Sequence, residues 1–270
     1  MHSGQRTEAT NDTFNLFFSG FHNLRATISH LSVEHGLNAT GNTLVWSGGS
    51  AGGVGVFTSL DWVADALPGV RVVGAPVGGM PPEIHWSTVN GSVPPSADVR
   101  TPAFASNNAL FDSFLPTRCV AAVSAAQAYT CGVPHLSYAH LATPTFVLES
   151  LTDVVIMCGF EGMPCKPVAR ALLDHDVCER FAQYGRNASA MLTASVMRSS
   201  RDGLFAPSCL LHTGFTLDGP VIDGMNAVSA TWQWMANATG PQHHIDKCRD
   251  NRFGGFYPPC GKKCPPITKP

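Results

Sequence analysis

The sequence predicts an α/β protein with a mainly parallel sheet and helices on both faces of it. Short apolar runs typical of buried strands alternate along the chain with stretches in which apolar residues recur at helical spacing. The chain has 270 residues, which is long enough to bury a substantial core. Only 13% of the residues are charged and 44% are hydrophobic, a composition that excludes intrinsic disorder.

Periodicity and turn residues give the order of the elements. Apolar residues three or four apart, followed by glycine or proline, indicate helices, and short apolar runs indicate strands. The predicted elements are a loose polar lead-in over 1–13, a helix over 13–35, a strand over 43–46, a helix over 54–67, a strand over 70–73, small helices within 74–118, a strand over 145–149, one or two helices within 166–200 and a helix over 223–235. The main α/β domain therefore spans 14–241, and the Cys- and Pro-rich residues 242–270 are predicted to form an irregular lobe of the same domain.

Charge and hydropathy restrict the partners of the protein. The formal net charge is −2, and Lys and Arg do not cluster. This pattern argues against nucleic acid or an anionic membrane surface as a partner. Apolar runs stay well below the length of a membrane span. We expect a monomer with no membrane span.

Cysteines and glycosylation sequons indicate an oxidising, secretory route and hence an extracellular or cell-wall location. The sequons are Asn11, Asn38, Asn90, Asn187 and Asn237. The disulfide candidates are Cys119, Cys131, Cys165, Cys178, Cys209, Cys248, Cys260 and Cys264, which leaves out Cys158 of the nine cysteines. The odd count and an N-terminus without the apolar region of a signal peptide lead us to expect a fragment whose missing beginning holds the ninth partner.

A glycine-rich turn between a predicted strand and a predicted helix indicates a catalytic serine. The segment 48–52 matches G-x-S-x-G with Ser50 at its centre, and small residues fill every position of 47–53. In a nucleophile elbow the chain turns so sharply that only small residues fit around the serine. The backbone N–H of Ala51, where the helix begins, then belongs to the oxyanion hole. The alternatives are a glycine-rich turn without chemistry or a phosphate-binding loop, although no lysine follows.

A serine nucleophile of this kind requires an acid and then a histidine later in the chain. Asp153 lies four residues beyond Glu149, where the third predicted strand ends. A capping or turn aspartate is the alternative interpretation of Asp153. His212 follows a short apolar run in a loop-like setting, although spacing alone leaves His140 and His175 open.

Taken together, these motifs resemble those of the pectin acetylesterase family, and the resemblance covers most of the chain. The segments that carry it are 18–20, 49–53, 115–119, Asp153, 199–212, 244–246, 258–260 and 264–265. The resemblance implies an α/β-hydrolase-like fold with a disulfide-rich C-terminal lobe, and a serine carboxylesterase that needs no metal or cofactor. Ser50, Asp153 and His212 match the family's nucleophile, acid and base, and Cys131 matches the disulfide partner of Cys119.

The substrate implied by the resemblance is a polysaccharide such as pectin, from which the enzyme removes acetyl groups through an acyl-enzyme. Two departures from the family pattern affect this expectation. The family's glycine-rich motif, which ends in Trp and supplies further oxyanion N–H groups, precedes everything in this chain, so we expect the fold to be N-terminally incomplete. The family's Asp-Ala-Gly or Asp-Ser-Gly segment is replaced by 75–79, which contains no aspartate.

Three alternatives remain. A Notum-like lipid-protein carboxylesterase needs a large apolar acyl tunnel, which the apolar residues of 104–115 could line, although we favour a place in the core for them. A non-catalytic glycan-binding pseudo-enzyme would fit the absence of the upstream oxyanion motif. A zinc site could use His243, His244, Cys248, Cys260 and Cys264. The spacing of these cysteines matches no standard zinc module, and we favour disulfides.

Overall fold

Strands and helices alternate along the chain, as the hydropathy pattern predicts. The computed structural model describes residues 3–82, 102–160, 163, 175–236 and 242–247. The helices are α1 (Gly20–His35), α2 (Ala51–Ala66), α3 (Pro102–Phe111), α4 (Thr117–Ala122), α5 (Pro134–Ser137), α6 (His175–Ala194) and α7 (Ala227–Ala236). The strands are β1 (Thr43–Gly49), β2 (Arg71–Val77), β3 (Phe146–Leu148), β4 (Gly203–Ala206), β5 (Val221–Ile222), β6 (Met225–Asn226) and β7 (His243–Ile245).

The chain divides into two compact units, and the first comprises Met1–Gly74 and Val93–Pro144. In this unit β1 lies beside the start of β2, and α2 packs against β1. The face of α2 that the sequence predicts to be apolar, formed by Val56, Leu60, Val63 and Leu67, is at most 2% exposed. Helix α1 ends at Gly36, whose φ of 64° allows its N–H to donate to the carbonyl of Leu31.

The second unit comprises Ala75–Ser92 and Thr145–Pro270. Within it the end of β2, then β3, β4 and β7 lie side by side in that order and are all parallel. Leu148 of β3 lies opposite both Val77 of β2 and Phe205 of β4. The parallel arrangement, with helices between successive strands, confirms the predicted α/β class.

Gly203 at the start of β4 shows how tightly the core of this unit is packed. A Cβ atom on Gly203 would lie 2.2 Å from the ring of Phe146 and 3.1 Å from that of Trp234. Phe146 and Phe205 are fully buried in the same region. Only glycine therefore lets β3, β4 and α7 approach this closely.

Two expectations from the sequence differ in detail from the structure. Residues 3–13 were expected to be loose, but Gly4 pairs with Ser113 and a 3-10 turn over Asn11–Thr13 buries Thr13 completely. The tail over 242–270 is expected to be irregular, but its residues His243–Ile245 form β7 beside β4, with Ile245 opposite Ala206. Residues 248–270 lie outside the described residues. The sequence of β7 offers one apolar residue among histidines, too short a run to indicate a strand.

Element boundaries also shift. The predicted strand over 43–46 continues to Gly49, and the following helix begins at Ala51 rather than at residue 54. The helix predicted over 223–235 begins at Ala227, because an antiparallel hairpin of β5 and β6 precedes it. Asp223 and Gly224 form the turn of this hairpin, both with positive φ, as in tight two-residue turns.

The cysteines agree with the predictions in part. A disulfide joins Cys119 to Cys131, the pairing that the family resemblance implies. Cys209 is also disulfide-bonded, and so is Cys158, so its omission from the disulfide candidates was wrong. The sequence count could show that the total is odd but not which thiol lacks a partner. The remaining candidates lie outside the residues whose side chains the structure describes: Cys165, Cys178, Cys248, Cys260 and Cys264.

The sequons stay predictions of glycosylation. Asn11 and Asn38 are exposed, and Asn187 is half-buried on α6, where its side-chain oxygen accepts a hydrogen bond from Gln183. Asn90 and Asn237 lie outside the described residues. Among the helices that the structure describes, none has both the length and the hydropathy that crossing a membrane requires.

Candidate active site

The turn at Ser50 has the geometry of a nucleophile elbow. Ser50 is the single residue between the end of β1 and the start of α2, and its backbone has φ 57° and ψ −122°. A non-glycine residue rarely adopts a positive φ, and such strain persists where the surrounding structure enforces it. A Cβ on Gly48 would lie 2.6 Å from the backbone of Gly52, so the strand and the helix can meet here only without a side chain. A residue without a side chain is therefore a steric requirement at Gly48.

The start of α2 provides hydrogen-bond donors next to Ser50. The carbonyl of Ser50 accepts the N–H of Val54, and the hydroxyl of Ser50 does not cap the helix. The first N–H groups of a helix, here from Ala51 onward, have no acceptor within the helix and carry its positive dipole end. Ser50 itself is partly exposed. An anionic oxygen near the Ser50 hydroxyl could thus be stabilised by these donors.

The second unit brings Asp153 and His212 together. Nδ1 of His212 lies 2.6 Å from Oδ2 of Asp153. The other oxygen of Asp153 accepts the N–H groups of Val155 and Ile156 at 2.9 and 3.1 Å, so this residue also caps the turn that follows it. The side chain of Asp153 is fully buried, and that of His212 is 14% exposed. Nε2 of His212 has no hydrogen-bond partner among the described residues, which leaves it available to a reacting group.

The other histidines that spacing left open do not share this arrangement. His140 lies in the first unit at the end of a short 3-10 turn, and the side chain of His175 is outside the described part of the chain. No hydrogen bond between His140 and a carboxylate occurs among the described residues. The contact with Asp153 therefore distinguishes His212.

Several contacts fix the loop that carries His212. The hydroxyl of Ser150 donates to the carbonyl of Cys209 at 2.6 Å. The N–H of Ser208 donates to Oδ2 of Asp246 at 2.8 Å, and burial raises the pKa of this carboxyl group, while the Ser208 N–H lowers it. The disulfide of Cys209 adds a covalent constraint three residues before His212.

Gly78, Glu149 and Asp246 contribute to this region but were not singled out by the sequence analysis. A Cβ on Gly78 would lie 3.2 Å from Nδ1 of His212, and Glu149 is a fully buried acid directly after β3. A charged residue that closes an apolar strand was the available signal for Glu149. The paired glycines after β2 were the signal for Gly78, and Asp246 lies in the segment 244–246 that carries the family resemblance, which gave it no role of its own.

An apolar pocket lies along helix α2 in the first unit. Its volume is about 270 Å³, and its lining includes Val54 of α2, Phe104 and Phe111 of α3, and Phe114. The sequence analysis favoured a place in the core for the apolar residues of 104–115. Most of these apolar side chains are half-buried: Phe114 stacks on the buried Phe21 at 3.9 Å, while Phe104 and Phe111 line the pocket, so their packing has features of both alternatives. A segment that lines a pocket can have the same apolar composition as a segment in the core. Only the tertiary contacts of its side chains show which of the two it is.

The histidines proposed for a zinc site have other contacts. Nε2 of His243 lies 3.1 Å from the carbonyl oxygen of Asp202, and His244 lies 3.8 Å from Asp223. Burial lowers the pKa of both histidines. Within the described ranges, no group of three or more His, Cys, Asp or Glu side chains could hold a metal ion. The three cysteines of that hypothesis lie outside these ranges.

Comparison with known proteins shows the family of the chain. The sequence profile of the pectinacetylesterase family matches residues 1–264. The chain belongs to the pectinacetylesterase family. It is also 29% identical over 217 residues to the palmitoleoyl-protein carboxylesterase Notum of Drosophila melanogaster, an alignment that covers 78% of this chain. The matched part spans only 29% of the length of that curated relative.

Solved structures show the same fold. A crystal structure of the Wnt deacylase Notum from Drosophila superposes on the chain with a TM-score of 0.79 and 26% identity, and covers 98% of this chain and 71% of that one. A second crystal form gives a TM-score of 0.75 at 24% identity over 98% of this chain and 70% of that one. The pectinacetylesterase chain described here therefore has the α/β-hydrolase fold of Notum.

Proposed function

We propose that this protein is a serine carboxylesterase that removes acetyl groups from a polysaccharide such as pectin. The observation that carries the proposal is the 2.6 Å contact between His212 Nδ1 and Asp153, which leaves Nε2 of the same ring without a partner among the described residues. This is the arrangement of a general base whose tautomer is fixed by an acid. The strained turn at Ser50 supplies a nucleophile of the type that such a base activates.

In the proposed reaction His212 Nε2 takes the hydroxyl proton of Ser50 while Oγ attacks the carbonyl carbon of the ester. The tetrahedral intermediate places a negative charge on the former carbonyl oxygen, which the N–H of Ala51 stabilises. The intermediate collapses as the bond between the acetyl carbon and the sugar oxygen breaks, and the imidazolium gives its proton to this departing oxygen, which becomes a sugar hydroxyl. Ser50 is then acetylated.

The second half of the reaction repeats these steps with water. His212 Nε2 takes a proton from a water molecule whose oxygen attacks the acetyl carbonyl. Collapse of the second intermediate releases acetic acid and returns the proton to Ser50. Asp153 holds the ring through Nδ1 and stabilises the imidazolium in both halves without becoming protonated.

Membership of the pectinacetylesterase family supports the choice of an acetylated polysaccharide. The low content of charged residues suits a neutral or mildly acidic glycan. The sequons and the disulfides support an extracellular location, where such a polymer is found.

A Notum-like lipid-protein carboxylesterase is the second candidate function, and one observation favours it. The apolar pocket beside α2 is lined by side chains of 104–115 that are not buried in the core. Val54 and Thr58, which line it from α2, lie one and two turns after Ser50. A pocket of this kind could accept an acyl chain longer than acetyl.

The test compares p-nitrophenyl acetate with p-nitrophenyl octanoate as substrates of the wild-type chain and of Ser50→Ala. We expect faster turnover of the acetate ester and loss of both activities in Ser50→Ala, whereas Ser29→Ala, on the exposed face of α1, retains them. A clear preference for octanoate would favour the lipid esterase. A folded protein that hydrolyses neither ester would indicate a non-catalytic, glycan-binding protein.

A further inference from the structure

A buried carboxyl group that the proposed reaction does not use lies close to the Asp153–His212 pair. Glu149 follows β3 directly, and its side chain is completely buried. Its Oε2 accepts a 2.7 Å hydrogen bond from the backbone N–H of Met80, whereas Oε1 has no partner among the described residues. No cation faces this carboxyl group within that part of the chain. Among the described residues, the charged group that acts on it is Asp153, which is itself an anion.

The hydrogen bond to Met80 restrains the turn that follows β2. The N–H of Gly78 donates to the carbonyl of Leu148 at 2.8 Å, and the N–H of Met80 donates to Glu149. Two consecutive residues at the end of β3 therefore hold the turn, one through its backbone and one through its side chain. The side chain of Met80 is also fully buried.

This turn packs against the imidazole of His212. Gly78 has a φ of +59°, and a Cβ atom built on it would lie 3.2 Å from Nδ1, 3.3 Å from Cε1 and 2.6 Å from the carbonyl oxygen of His212. Nδ1 is the nitrogen that Asp153 binds. The turn therefore lies directly against the side of the ring that carries Nδ1 and Cε1.

We propose that Glu149 is a positioning residue for the esterase reaction, in which its uncharged carboxyl group holds the turn of residues 78–80 against the ring of His212. This inference rests on the proposed function, since it takes His212 as the general base. An ionised Glu149 would place a second fully buried anion near Asp153, an arrangement that proteins avoid. With Glu149 uncharged, the negative charge beside the His212 imidazolium is that of Asp153, which stabilises it.

The electrostatics agree with an uncharged group. Burial raises the pKa of Glu149 well above its ordinary value, and the charge of Asp153 raises it further. The N–H groups of Met80 and Ser150 act in the opposite direction, but they are the smaller influences. A neutral carboxyl group still accepts the N–H of Met80 through its carbonyl oxygen.

The kinetic test compares Glu149→Gln with Glu149→Met in the full chain. Gln is uncharged and keeps an oxygen that can accept the N–H of Met80, whereas Met has a similar length but no such acceptor. We expect Glu149→Met to lower kcat for p-nitrophenyl acetate by about 10- to 100-fold with little change in KM, the effect of losing one buried hydrogen bond. Glu149→Gln should recover most of this loss and keep the acid limb of the wild-type pH–rate profile.

Two measurements test the same role without catalysis. In wild type and Glu149→Gln, NMR should show the amide proton of Met80 protected from exchange, and in Glu149→Met this protection should fall. Infrared spectroscopy at neutral pH should show a carboxylic acid C=O band that disappears in Glu149→Gln. If Glu149→Met is too unstable for kinetics, the protection of the Met80 amide in wild type and Glu149→Gln and the infrared band still test whether an uncharged Glu149 holds the turn.

The opposite results would overturn the inference. These are a Glu149→Met variant with wild-type kcat, an equal loss in both variants, or the absence of the infrared band. An acid limb that moves to lower pH in Glu149→Gln would likewise show that an anion had been removed. A wild-type chain without esterase activity would overturn the proposed function, while the amide and infrared measurements would still show whether Glu149 is neutral and holds the turn.

Discussion

Replacing Gly78 with alanine tests whether the turn after β2 controls the position of His212. The new Cβ atom would lie 2.6 Å from the carbonyl oxygen of His212, and contacts below 3.0 Å essentially never occur. The backbone of the turn or of the histidine must therefore move by at least about 0.4 Å, the difference between these two distances. Since the turn is hydrogen-bonded to Leu148 and Glu149 through Gly78 and Met80, it cannot absorb the whole shift, and part of it falls on His212.

The size of the effect follows from the sensitivity of proton transfer to geometry. A misplacement of 1 Å in a reacting group can cost about 10²-fold in rate. We therefore expect Gly78→Ala to lower kcat for p-nitrophenyl acetate by roughly 5- to 50-fold, which corresponds to about 1–2.5 kcal/mol of transition-state stabilisation. A left-handed backbone also costs alanine about 1–2 kcal/mol of folding stability.

Gly224→Ala is the matched control. Gly224 has a φ of +83° in the hairpin turn, and a Cβ atom on it would meet nothing within 4 Å. Both variants should lose thermal stability, measured as Tm, from the positive φ, with a further loss in Gly78→Ala from its clash, but only Gly78→Ala should lose kcat. If the two variants have the same activity, the contact between Gly78 and His212 does not matter for catalysis and the reasoning is refuted.

Three further predictions concern stability. Gly203→Ala should lower the free energy of unfolding by about 1–3 kcal/mol, because its Cβ would overlap an aromatic ring of β3. Gly214→Ala should change the free energy of unfolding little, because a Cβ there has open space around it. Equal Tm values for the two variants would contradict the predicted clash. Asp61→Ala should lower the free energy of unfolding, measured by urea titration, by about 3 kcal/mol or more, since this buried carboxylate accepts three hydrogen bonds from the segment before β3. Replacing the exposed Asp65 with alanine should lower it by less than about 1 kcal/mol in the same titration. Equal losses in the two variants would argue against the importance of these buried hydrogen bonds. Glu149 has a raised pKa in the folded protein, so the free energy of unfolding of the wild type should fall as pH rises from the unfolded-state pKa of Glu149 towards its folded-state pKa. Over this pH range the stability of Glu149→Gln relative to wild type should grow by up to about 1.4 kcal/mol per pH unit. A stability difference between the two that stays constant with pH would contradict the raised pKa.

The parts of the fold that the sequence predicts are those where one physical requirement dominates. The apolar face of α2 has strict helical spacing, and all of it is buried. At Gly48, before Ser50, a steric requirement excludes any side chain, because the backbone of Gly52 approaches it closely. Asp153 was ambiguous between a turn residue and a partner of histidine, and each of its oxygens makes one of these contacts.

The parts that were missed depend on tertiary contacts. Strand β7 has no hydropathy signal of its own and forms because β4 offers it hydrogen bonds. The role of Glu149 depends on Met80, which is 69 residues away along the chain. Cys158 could not be distinguished from the other cysteines, because pairing depends on distance in space. The side chains of 104–115 have core-like composition but line a pocket.

The central claim is that Ser50 is the nucleophile and that His212 activates it. The most direct measurement is mass-spectrometric mapping of the adduct formed with a fluorophosphonate, a reagent that labels only activated serines. We predict a single adduct on the peptide that contains Ser50, no labelling in Ser50→Ala, and strongly reduced labelling in His212→Gln. Labelling that persists in Ser50→Ala, or that is as fast in His212→Gln as in wild type, would contradict the account.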